Sequence, residues 1–85
     1  MRCFVGSEKA GSVVQCASNG NICAKATFDG KQSAFFCYDS SILSSIGFTA
    51  SIDNEFDCQR IKPSSLEYEF CVCNADDCNN PCKFV

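Results

Sequence analysis

The sequence contains no histidine and no tryptophan, a single methionine and two prolines. Without an imidazole, a cysteine nucleophile or a serine triad lacks its usual base. Paired carboxylates can still act as acid and base, and two pairs qualify, Asp76 with Asp77 and Glu67 with Glu69. The first falls in a turn and the second on one strand face, where solvated surface charge accounts for both. No enzyme is therefore expected, and no catalytic residue, metal or cofactor is assigned. A basic excess is also missing: seven Lys and Arg stand against ten Asp and Glu, a net charge of −3. That argues against nucleic acid or anionic lipid as the partner. No stretch approaches the roughly 18 apolar residues of a membrane span, so direct membrane insertion is not expected. There is no N-x-S/T sequon. Arg2 and Cys3 follow Met1 with no apolar leader between them. If the protein is secreted, its leader is expected to lie outside this sequence, as is any C-terminal lipid-anchor signal.

What is abundant is cysteine. Nine cysteines among 85 residues exceed the roughly 8–10% that marks a disulfide scaffold. A chain this short is one domain, residues 1–85, with a core too thin to hold it by burial alone. In an oxidising compartment the cysteines are cross-links. The alternative, metal binding, would fall on Cys71, Cys73, Cys78 and Cys82. Structural zinc sites favour about two to four residues between paired ligands, and the Cys71-x-Cys73 gap is too tight for the usual knuckle.

Short apolar runs between turn signals read as all-β. Arg2 to Val5 is one run, ended by Gly6; Ser12 to Ala17 is another, with Gly6 to Gly11 a loop tip between them. Ala24, Ala26 and Phe28 alternate with Lys25 and Thr27. Asp29-Gly30 then separates them from Lys31 to Tyr38, a type I′ hairpin signal. Leu66, Tyr68, Phe70 and Val72 alternate with Glu67, Glu69, Cys71 and Cys73. The segment after Asp39 is ambiguous. Asp39 or Ser40 caps a short helix within 40–48 that Gly47 stops, with Ile42 and Ile46 on one face, or the segment is loop.

The cysteine spacing resembles a known family. The opening Cys3-x12-Cys16-x6-Cys23 and the close Cys73-x4-Cys78-Asn79, with Cys58 and Cys71 between, resemble the three-finger domain. That fold is shared by snake three-finger toxins and the urokinase-receptor (LU) superfamily. The resemblance implies a two-stranded plus a three-stranded antiparallel sheet, with fingers at 3–16, 23–37 and 58–71 and a tail over 80–85. It implies the bridges Cys3–Cys23, Cys16–Cys37, Cys58–Cys71 and Cys73–Cys78, the longer ones each stabilising by about 3 kcal/mol. It also implies a structural role for Asn79, hydrogen-bonded to backbone near the cysteines. Where relatives often carry adjacent cysteines, this chain has Cys71-Val72-Cys73, so either a bulge intervenes or two bridges leave one strand face together. The Cys37-to-Cys58 link is long, as in the LU type. Cys82 is left over. An odd cysteine suggests an intermolecular bridge, such as a disulfide-linked homodimer, or a free thiol.

Such a chain is expected to be extracellular, either secreted or attached through a lipid anchor, and to engage a protein ligand or cell-surface receptor. The alternative is a toxin-like or defensive effector acting on a receptor or ion channel. Candidate partner-binding residues are Phe28 and Lys31, at the second finger's tip, and the apolar set Ile42, Leu43, Ile46 and Phe48. For that set the competing reading is that it folds back to complete the core. Phe35, Phe36 and Tyr38 are expected in the core.

Overall fold

Alternation along the strands decides the architecture, because a two-residue period sends each strand's apolar set to one face. A computed structural model describes residues 1–28, 32–48, 57–62 and 67–81. Among these residues six strands form: β1 (Arg2–Ser7), β2 (Ser12–Gln15), β3 (Ile22–Phe28), β4 (Gln32–Tyr38), β5 (Asp57–Ile61) and β6 (Tyr68–Cys73). All pairings are antiparallel, in the order β2-β1-β4-β3-β6-β5. A 3-10 helix, Ser40–Ile46, follows β4. The Asp29-Gly30 turn, Lys31, Leu66 and Cys82 lie outside the described residues.

The expected separation into a two-stranded and a three-stranded sheet is replaced by one six-stranded sheet. The join is short: β1 runs past Val5 so that Gly6 faces Phe35 and Ser7 faces Ala34. Gly6 makes this possible at φ +128°, a conformation that an L side chain rarely adopts. A Cβ there would sit 2.6 Å from the Gly11 Cα. The additional strand is β5.

The two faces of the central strands have different contents. On one, Ile22, Ala24, Ala26, Phe70 and Val72 form a core with Leu43, Phe48 and Ile61. Phe70 is its hub, with ring centroids of Phe36, Tyr38, Phe48 and Tyr68 5.2–6.2 Å away. On the other face Cys37, Cys23 and Cys73 stand side by side across β4, β3 and β6. They pack with Cys3 and Cys16 into a second, sulfur-rich cluster. Phe35 points to this face too, edge-on to Phe4 at 5.2 Å.

Four disulfides join Cys3 to Cys23, Cys16 to Cys37, Cys58 to Cys71 and Cys73 to Cys78. The first two interleave along the chain. Register is continuous through Cys71, Val72 and Cys73, so there is no bulge there and both bridges leave β6 on one face. Among the described residues no helix is long and apolar enough to cross a membrane.

Candidate functional site

The segment between β4 and β5 carries the sequence's most apolar candidate set, and its start is tightly tied. Asp39 caps the 3-10 helix: its Oδ1 accepts from the Ser41 N–H at 2.9 Å and the Ser41 hydroxyl at 2.8 Å. These bonds, backbone first, hold the Asp39 carboxyl below its ordinary range. Asn21 grips the next residue twice. It accepts from the Ser40 N–H and donates to the Ser40 hydroxyl, both at 2.9 Å. Gly47, left-handed at φ 86°, ends the helix, and the Phe48 N–H returns to the Leu43 carbonyl at 3.1 Å.

The helix pitch then sorts the apolar residues. An α-helix would have paired Ile42 with Ile46 at four-residue spacing. With three residues per turn, Leu43 and Ile46 share a face instead. Leu43 and Phe48 are buried in the core, Ile46 packs partly against it, and Ile42 is turned outward at 46% exposure. The candidate set is thereby divided: Leu43 and Phe48 are core, and Ile42 is surface.

Ile42 borders a shallow groove of about 300 Å³, shared with Ala17, Asn19, Gly20, Tyr38 and Asp39. The groove floor is backed by the Cys16–Cys37 bridge. A Cβ on Gly20 would lie 2.9 Å from the Cys16 Cβ and 3.2 Å from the Cys37 Cβ, so this turn rests directly on a disulfide. Burial, then the neighbouring Tyr68 and Asp39, pushes the Tyr38 phenol above its ordinary pKa. A more polar groove of about 480 Å³ lies between the first hairpin's loop and β4, lined by Ser7, Glu8, Lys9, Gln32 and Ser33.

The remaining candidates are spread out. Phe28 is half-buried against the core, its ring 5.3 Å from Tyr68. Lys31, its companion in the sequence reading, and the odd cysteine Cys82 lie outside the described residues. Asn79 is fully buried and bonded to the backbone of Phe4 and Ala24. Asp76 and Asp77 lock the C-terminal turn to β1: Asp76 accepts from the Arg2 N–H at 3.1 Å, and the Asp77 N–H donates to the Arg2 carbonyl at 2.7 Å. Glu67 pairs with Arg60 at 3.3 Å on the surface, whereas Glu69 lies beside the Cys58–Cys71 bridge. Cys71, Cys73 and Cys78 are all disulfide sulfurs and so offer no thiolate to a metal in this state.

Asn21 is the positioning residue that the sequence pattern did not single out. Its signal was its place: a polar residue directly after Gly20, ahead of a strand and far along the chain from Ser40, which it holds. Comparison of the chain with protein-family models, curated proteins and solved structures finds no match in any of the three.

Proposed function

We propose that this chain is a non-enzymatic extracellular binding module of the three-finger, LU-like kind, engaging a protein ligand or cell-surface receptor. The observation that carries the reading is Ile42. A large aliphatic side chain, 46% exposed, is held at a fixed position beside a groove whose floor is a disulfide. Burying an apolar side chain contributes about 25 cal/mol per Å², and pre-ordering the surface removes part of the entropy that binding otherwise costs. Three successive hairpins, β1–β2, β3–β4 and β5–β6, with two bridges between the first and second, one within the third and one closing the turn after β6, support the three-finger assignment. So many disulfides fit an oxidising compartment, which supports an extracellular location, secreted or lipid-anchored.

The test is binding of the folded, labelled domain to intact cells and to their detergent-solubilised surface proteins. Protease-sensitive, saturable binding that falls at least about tenfold with Ile42→Asp, a loss of roughly 1.4 kcal/mol, supports the module and this surface. Equal binding by the variant overturns the assignment of the surface. Binding that survives complete removal of cell-surface protein overturns a protein receptor.

A further inference from the structure

Three of the four disulfides share the sulfur-rich cluster, where Cys3, Cys16, Cys23 and Cys73 are 0–8% exposed. The fourth stands apart. Cys58 and Cys71 are direct cross-strand partners in β5 and β6, with Cα atoms 4.0 Å apart. Cys71 is buried but Cys58 is exposed, and among the described residues β5 is an edge strand paired with β6 alone. Thiol–disulfide exchange requires a thiolate to reach a sulfur, and here one of the two bridged residues, Cys58, is exposed. The charges around it are defined. A Glu69 carboxylate oxygen and both bridge sulfurs lie within 4.8 Å of one another. Arg60, opposite Glu69 in register, is paired with Glu67. Lys25, opposite Cys71 on β3, has its ammonium 5.9 Å over the Phe35 ring.

We propose that Cys58–Cys71 is a thiol-exchange site, cleaved before the other three bridges, and that Glu69 beside it selects a cationic thiol over an anionic one. The attacking thiolate bonds to the Cys58 sulfur. The disulfide bond breaks, and its electron pair leaves on the Cys71 sulfur, which takes a proton from solvent. A second thiol displaces Cys58 from the mixed disulfide. In net terms two thiols are oxidised to one disulfide and the bridge receives two electrons. The Glu69 carboxylate attracts the ammonium of an aminothiol and repels the carboxylates of a peptide thiol such as glutathione. Reduction leaves β5 held by its backbone ladder to β6 and by Ile61, which is 5% exposed in the core, while the sulfur-rich cluster stays intact. The inference is independent of the binding function.

The full chain, its free thiols first capped with iodoacetamide, is exposed to cysteamine or glutathione at matched thiolate concentration. It is then acid-quenched, labelled with N-ethylmaleimide and peptide-mapped. Cys58 and Cys71 should label at least about tenfold faster than the other six bridged cysteines. Cysteamine should outpace glutathione at low salt, and that preference should shrink in 1 M salt and in Glu69→Gln, a change at an exposed position. Prior reduction of another bridge, or loss of all four together, overturns the site. Equal rates for the two thiols, or a preference that Glu69→Gln and salt leave unchanged, overturn the role of Glu69.

Discussion

The Asn79 side-chain amide holds both backbone groups of Phe4. Its Oδ1 accepts from the Phe4 N–H at 2.8 Å, and its Nδ2 donates to the Phe4 carbonyl at 3.0 Å. The same Nδ2 donates to the Ala24 carbonyl at 2.8 Å. An amide side chain with one acceptor oxygen and two donor hydrogens is thus fully matched. It extends β1 and β3 as a strand's backbone would, at a place where the chain itself is in a turn.

Asn79→Ala should therefore be severe. It strands three buried backbone groups, each costing about 1–3 kcal/mol, so a loss of at least about 3 kcal/mol is expected in denaturant midpoints under oxidising conditions. Asn79→Asp should be pH-dependent. A buried carboxylate facing two carbonyls has a raised folded pKa, so the variant is most stable below the unfolded value of about 3.9 and loses stability as pH rises through the folded value. A flat pH–stability difference from wild type would contradict this geometry.

The apolar set after β4 should divide in two. Leu43→Ala should cost about 2–4 kcal/mol, as for a buried leucine, and Ile42→Ala should stay within about 0.5 kcal/mol. Thermal unfolding of the two variants separates them; equal effects would mean that the helix face is misassigned.

Gly47→Ala meets no steric obstacle, since an added Cβ has nothing within 4 Å. Its left-handed φ of 86° still disfavours alanine, and a loss of about 1 kcal/mol is expected. Gly20→Ala should do more harm through the Cys16–Cys37 bridge beneath it.

Asp39 should titrate below the ordinary value of 3.8, because its carboxylate form accepts two hydrogen bonds from Ser41. A depressed folded pKa adds stability above the unfolded pKa, and that contribution is lost as pH falls through the folded one. Carboxyl chemical shifts followed by NMR give the midpoint, and Ser41→Ala should move it upward.

We propose that Cys82 joins two copies, the alternative from the odd cysteine count being a free thiol. Mass measurement without reductant should show a disulfide-linked dimer that Cys82→Ser abolishes. Monomer alone, with one alkylatable thiol, would remove that reading.

Much of the fold was legible because it rests on local pattern. The alternation of Ala24, Ala26 and Phe28 and of Tyr68, Phe70 and Val72 marks β3 and β6. Asp39 and Gly47 mark the ends of the short helix. Its pitch was not legible: a seven-residue segment has no repeat long enough to tell three residues per turn from 3.6, and the choice moved Leu43 inward and Ile42 outward. β5 was not legible because only Ile61 in Asp57–Ile61 is plainly apolar, and the strand exists through its pairing with β6. The Gly6–Phe35 contact that unites the sheet is non-local, and nothing in either segment announces it. The bridge partners came with the family resemblance, since spacing alone leaves many pairings open.

The interleaving of Cys3–Cys23 with Cys16–Cys37 bears on synthesis. A chain is made from its N-terminus, and within this sequence no cysteine lies between Cys3 and Cys16. Joining those two closes a shorter loop than the native separation of 20, and short loops cost less entropy to close. A Cys3–Cys16 bridge is therefore an entropically favoured competitor, and a chain that forms it reaches the native arrangement only by reshuffling with Cys23 and Cys37. Yield of this protein from a cell should accordingly track its disulfide isomerase activity more closely than its oxidising power.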